Sequence, residues 1–191
     1  MDIQTIFFIG KPGCGKGTQA KLLSEKTGWK VISAGEQFRA IAAEDTPVGR
    51  KIKSEIDVGT LSPHWFAMYL YLKALFTARA DESVIFDGFN RKVPEAELVI
   101  DSLRWLERPF TILDIRVSDE EVRRRLFLRK EVEGRADDSA VDERLKEYRE
   151  YTEPAIEIFR KGGMRIEING EQTPEEIAVE VNAVLDIPST G

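Results

Sequence analysis

Short apolar runs alternate with longer stretches of mixed polarity along the whole of this chain. Five runs, at 3–9, 29–33, 83–87, 110–117 and 164–168, are brief and bounded by polar or turn-forming residues, and they predict strands. The segments between them are compatible with helices, and several of their ends are signalled. Ser62-Pro63 offers an N-cap and a first-turn proline ahead of the apolar-rich 64–78 segment. Ser118-Asp119-Glu120-Glu121 and Thr173-Pro174-Glu175-Glu176 each place a glutamate three residues after a hydroxyl, the pattern of a capping box. Gly162-Gly163 predicts the stop of a long helix that begins near Val141. Two polar stretches, around 43–60 and 130–140, read as irregular insertions between elements, where active-site lobes tend to hang. Strand and helix in alternation predict an α/β fold with a parallel sheet covered on both faces.

The turn after the first strand is the richest in chemistry. Ile3 to Ile9 runs into Gly10-Lys11-Pro12-Gly13-Cys14-Gly15-Lys16-Gly17-Thr18-Gln19, and the helix-compatible stretch Thr18 to Lys26 follows. Strand, glycine-rich turn, then helix is the context that makes G-x-x-x-x-G-K a phosphate cradle rather than a flexible surface turn with a lysine in it. Glycines at 10, 13 and 15 let backbone N–H groups turn inward, the helix adds its free N–H groups and dipole, and Lys16 reaches the terminal phosphates. Gly17 stands where Ser or Thr usually follows the lysine; Thr18 comes one place later.

Val84-Ile85-Phe86 puts Asp87 at the carboxyl edge of the sheet beside this loop, where open α/β sheets bind ligands. A carboxylate next to a polyphosphate is repelled unless a cation lies between them. Asp87 therefore implies Mg²⁺, held directly or through water, rather than a simple turn cap. Arg39, Arg91, Arg129, Arg135 and Arg144 fall near predicted loop edges or helix ends. Convergent arginines are the equipment of phosphoryl transfer, which needs much charge stabilisation and little covalent help. Most of Arg123-Arg124-Arg125 reads instead as the wet face of an amphipathic helix, and His64 as an ordinary helix residue.

Composition narrows the class. The 191 residues suffice for one well-filled core, and 42% apolar with 32% charged residues suits a globular enzyme. No apolar stretch has the length of a membrane span, and Met1-Asp2-Ile3 lacks the basic start of a signal peptide. Net charge −6 offers no footprint for nucleic acid. One cysteine excludes an internal disulfide, one histidine leaves no Cys/His zinc cluster, and the expected setting is reduced and cytoplasmic.

Several motifs in order now carry a resemblance. GKPGCGKGTQ at 10–19, Ile32 to Arg39, Gly59-Thr60-Leu61-Ser62-Pro63, Phe86 to Arg91, Gly134-Arg135-Ala136-Asp137-Asp138 and Tyr151-Thr152-Glu153-Pro154 resemble the adenylate kinases, within the nucleoside monophosphate kinase family, over nearly the whole chain. The resemblance implies a P-loop NTPase three-layer sandwich with a five-stranded parallel sheet. It implies a core of 1–32, 63–129 and 141–191, an acceptor-nucleotide lobe at 33–62 and a short lid at 130–140 without zinc. It also implies a monomer that binds ATP with Mg²⁺ and a nucleoside monophosphate. Gly13, Cys14, Gly15, Lys16, Gly17, Thr18, Arg125 and Arg129 would hold ATP. Ser33, Ala34, Arg39, Leu61, Ser62, Gly88, Arg91, Glu95, Arg135 and Arg144 would border the acceptor. Lys16, Arg91, Arg125, Arg129, Arg135 and Arg144 would serve catalysis, with Asp137 and Asp138 holding the lid arginines.

Departures from the family pattern concentrate at the acceptor. Ala34 replaces the usual Thr, Ser62 an apolar residue, and Glu95 the usual Gln, four residues after Arg91. Gln both donates to and accepts from an adenine edge, whereas an ionised Glu only accepts. AMP is the leading acceptor; GMP, whose base presents two donors on one edge, or CMP or UMP are the alternatives. Asn90 stands where the family has a proline, commonly after a cis bond, and a trans Phe89–Asn90 bond is expected. The lid is about two residues short before Arg144. From other classes, a kinase of another small acceptor, a non-catalytic nucleotide sensor and a GTPase fit less well, the last because no Asn-Lys-x-Asp motif occurs.

Overall fold

The structure, a computed structural model, describes residues 5–133 and 140–188. Its sheet has five parallel strands: β1 (Thr5–Gly10), β2 (Lys30–Ser33), β3 (Val84–Asp87), β4 (Phe110–Arg116) and β5 (Arg165–Asn169), in the order β2-β3-β1-β4-β5. Each matches a run anticipated from the apolar pattern. The central strand β1 is buried on both faces, which is why it reads as continuously apolar. Its alternate side chains divide the core. Phe7 and Ile9 join one cluster with Tyr71, Phe86 and Phe89; Ile6 and Phe8 join the other with Leu23, Leu113 and Leu126.

Helices cover both faces. α1 (Lys16–Thr27), α6 (Asp119–Glu133) and α9 (Pro174–Val184) supply Leu23, Leu126 and Val181 to the second cluster. α4 (His64–Thr77), α5 (Val93–Trp105) and α8 (Glu153–Lys161) supply Leu70, Val99 and Phe159 to the first. The remaining helices are α2 (Ala34–Ala42), α3 (Pro47–Val58) and α7 (Val141–Glu147). Thr173 and Glu176 form the full reciprocal capping box at α9. Ser118 accepts the Glu121 N–H, but the Glu121 carboxylate turns to arginines instead.

Three expectations change. Around 43–60 the chain is not irregular: α3 is started by Thr46, whose hydroxyl accepts from Gly49 N at 2.9 Å, and ended by Gly59. Val48, Ile52 and Ile56 recur at i, i+4 and i+8, a helical period that the reading of this stretch as a polar insertion passed over, and Lys51–Glu55 and Lys53–Asp57 pairs lace its outer face. Ser62 does not cap α4; Pro63 holds the N-cap position without a side-chain bond. The long segment from Val141 to Gly162 is interrupted by a π-helical turn, Tyr148–Thr152, between α7 and α8. No helix among the described residues is long and apolar enough to cross a membrane.

Candidate active site

The carboxyl ends of β1, β2 and β3 open into one cavity of about 1320 Å³. At its floor the chain turns sharply after β1. Gly10 has φ 141°, and a Cβ there would lie 2.4 Å from the Ile115 carbonyl oxygen, so only glycine lets the loop pass that close to β4. Lys16 opens α1 and arches back over the loop, donating from Nζ to Gly10 O at 2.8 Å and Lys11 O at 2.7 Å, and lying 3.4 Å from Cys14 Sγ. Gly13, Gly15, Gly17 and Thr18 line the cavity. Cys14 does not: its side chain is fully buried in the core beneath the loop, so it has only backbone to offer a ligand.

Asp87 ends β3 in register with Phe8 and Ser33, and its Oδ2 accepts the Ser33 hydroxyl at 3.2 Å. The same oxygen is 3.5 Å from where a Cβ on Gly17 would be, so the carboxylate faces the first turn of α1. One carboxylate beside hydroxyl groups and an N-terminal helix turn suits Mg²⁺, which takes few protein ligands and completes its shell with phosphate oxygens and water. Among the described residues no cluster of three or more His, Cys, Asp or Glu could cage a metal by itself.

Arginines enter from several sides. Arg39, Arg91, Arg125, Arg129 and Arg144 all line the cavity. Arg125 is 22% exposed against 51% and 61% for Arg123 and Arg124; Arg124 also borders the cavity, but the last member of the run is the one drawn inward. It donates to Glu121 at 2.5 Å, Gly170 O at 2.8 Å and Cys14 O at 3.3 Å, tying the loop to the turn after β5. Arg124 and Arg125 hold the Glu121 carboxyl at about 2. Glu121, here an anchor for Arg125, was visible in the sequence as its i,i+4 partner but read only as a cap. Arg135, with Asp137 and Asp138, lies outside the described residues.

The opposite wall is the turn Gly88-Phe89-Asn90-Arg91. Gly88 has φ 77° and carries the Arg91 guanidinium against its backbone, with Arg91 Nε donating to Gly88 O at 2.7 Å. No peptide among the described residues is cis, and Asn90 takes φ 65°, a value proline cannot reach. The substitution thus gives this turn a path of its own. Arg91 N donates to Glu95 Oε2 at 2.8 Å, and Thr152 Oγ1 donates to Arg91 O at 3.1 Å. Glu95 is 2% exposed and lines the cavity together with Ser33, Ala34, Leu61 and Ser62; it does not point into solvent. Burial pushes its carboxyl above the usual range, opposed by the Arg91 N–H and by the charges of Arg91 and Lys92. His64 is exposed at the start of α4 and away from the cavity.

One buried carboxylate escaped the sequence reading. Asp114 sits inside β4, fully buried opposite Ile9, with Oδ2 accepting from Arg165 at 3.0 Å and Oδ1 unpartnered. Burial pushes it up to about 6 against the pull of Arg116, Arg165 and, more weakly, Lys16.

A five-stranded parallel sheet with a lysine-bearing glycine loop at one wall of a cavity and arginines at the other defines a P-loop nucleotide-binding protein of the α/β class. The adenylate kinase family model matches residues 8–164. An adenylate kinase of Thermus thermophilus is 36% identical over 191 residues, covering 98% of this chain and 100% of the relative. One of Maricaulis maris is 34% identical over 187 residues, covering 95% and 98%. One of Archaeoglobus fulgidus is 30% identical over 211 residues, covering 95% and 97%. The chain belongs to the adenylate kinase family, a family of nucleoside monophosphate kinases.

Proposed function

We propose that this protein transfers the terminal phosphoryl group of MgATP reversibly to a nucleoside monophosphate, with AMP the leading acceptor. The observation that carries the reading is the two-sided cavity: Lys16 and the loop on one wall, Arg91 and Gly88 on the other, Asp87 between. In this reading the loop N–H groups and Lys16 hold the ATP phosphates, and Arg39 and Arg91 grip the acceptor phosphate. Arg125, Arg129, Arg135 and Arg144 neutralise charge on the moving group. Asp87 would hold Mg²⁺, directly or through water, and the ion would supply charge neutralisation for the phosphates. Residues 33–62 act as the acceptor lobe and 130–140 as the lid, within a monomer. Catalysis is positioning and electrostatics, with no covalent intermediate required.

GMP is the second reading, favoured by Glu95. Its Oε2 accepts the Arg91 N–H, and the carboxyl lines the cavity. Ionised, the group only accepts; protonated, it donates as well, as Gln would. Because burial raises its pKa, acidification favours the protonated form and with it AMP.

The test is a coupled assay of MgATP with AMP, GMP, CMP and UMP in parallel, on the wild-type protein and Glu95→Gln. Turnover of AMP is expected. The variant should raise the AMP-to-GMP ratio by about tenfold, the scale of one or two polar contacts, and flatten its rise at low pH. No turnover with any monophosphate contradicts the function, and an unchanged ratio removes Glu95 from the base site.

A further inference from the structure

Lys92 follows Arg91 and is the N-cap residue of α5, with no capping side chain of its own. A lysine at a helix start is ordinarily a solvated charge. This one is half-buried and turns away from its own helix. Its Nζ donates to Ser62 O at 3.0 Å and to Leu61 O at 3.3 Å, carbonyls about thirty residues back in the chain. It also lies 5.1 Å from the centroid of the Tyr151 ring. Two of the three ammonium hydrogens thus have carbonyl acceptors, and the charge sits over an aromatic face.

These contacts close a ring of three chain segments. Leu61 and Ser62 lie in the segment between α3 and α4 and line the cavity. Leu61 N donates to Glu147 Oε2 at 2.8 Å at the end of α7. The π-helical turn that follows presents Tyr151 to Lys92 and the Thr152 hydroxyl to the Arg91 carbonyl. A π turn changes the angular spacing of side chains, and such turns often occur where an element must aim residues at a site. Behind the same wall Gly59 packs so closely that an added Cβ would be 2.9 Å from Arg144 Cγ.

We infer that Lys92 is a positioning residue for the acceptor half of the site: it pins the Leu61-Ser62 backbone to the Arg91 turn and to the helix that follows the lid. It touches no reacting atom in this role. Its effect is on the geometry of the wall the acceptor meets, and the loop that holds ATP lies outside the ring. The inference rests on the reading of the Arg91 side as the acceptor half.

Calorimetric titration of AMP, GMP and ATP separates the outcomes, on the wild-type protein, Lys92→Met and Lys92→Arg. Lys92→Met should weaken binding of whichever monophosphate the wild type binds by about tenfold, the scale of a lost charge-assisted contact, and leave ATP within about twofold. Steady-state kinetics should show the same split, acceptor KM rising more than ATP KM. Lys92→Arg, which keeps the donors and stacks on an aromatic ring, should recover most of the loss. If Lys92→Met does not fold, Lys92→Gln carries the comparison. Unchanged monophosphate affinity, or equal losses for monophosphate and ATP, overturns the role of Lys92. A wild-type protein that binds ATP but neither monophosphate overturns the functional reading, and this role with it.

Discussion

On the loop wall of the cavity, residues 10–18 present a lysine and a run of backbone groups from consecutive positions. On the Arg91 wall four separate pieces of chain, 33–39, 61–62, 88–95 and 147–152, line one side of the cavity, three of them joined by side chains that bond to backbone distant in sequence. The first wall is set by local geometry: a glycine turn whose path β4 dictates and whose lysine folds back onto its own loop. The second depends on long-range contacts that single substitutions can rewire. This chain keeps the family's loop and departs at the other wall, with Ala34, Ser62, Asn90 and Glu95. On the proposed reading, a wall of backbone donors that grips phosphate resists such change, because every nucleotide shares the phosphate, whereas the wall that fits a base must change with it.

Breaking the loop wall should have the largest effect. Lys16→Met should lower turnover by on the order of 10²–10³, the typical cost of one preorganised charge on a moving phosphoryl group, with little change in melting temperature. Single-turnover assays and thermal melts check both halves of this statement. Activity near wild type would mean the loop is not the phosphate cradle.

How much could be read without coordinates follows the same division. The five strands were legible because each is a short apolar run, and the loop and Asp87 because their chemistry is carried by adjacent residues in a strand–turn–helix context. α3 was missed because its stripe, Val48, Ile52 and Ile56, is narrow and set among charged residues, so the stretch read as a polar insertion. Lys92 and Glu147 gave no signal either, and Thr152 stood out only as part of the 151–154 motif, without a role. Each gains its role from a partner between about thirty and ninety residues away. Glu95 was noticed for its chemistry, and only the fold shows that it is buried with its carboxyl accepting from Arg91 N.

A smaller effect sharpens the comparison from the loop side. Asp114 lies one strand over from Ile9, beneath the loop, and burial lifts it from the usual aspartate range to about 6. Because the folded value is raised, proton binding favours the native state. The stability gained is fully present below about pH 4 and lost as pH rises through about 6. Relative to Asp114→Asn, the wild type should therefore gain about 2–3 kcal/mol between pH 7 and pH 4. Urea denaturation across that window checks it; a constant difference between the two proteins would show that Arg165 and Arg116 hold Asp114 ionised throughout.

The central claim is that the two walls hold different nucleotides, and Arg91→Ala tests it most directly. Binding of ATP and of the preferred monophosphate, each measured alone by calorimetry on wild type and variant, should part company. The monophosphate should weaken by about tenfold to a hundredfold, the range of a lost charge-assisted phosphate contact, while ATP stays within about twofold. Equal losses for both nucleotides, or a loss confined to ATP, would contradict the assignment of the walls.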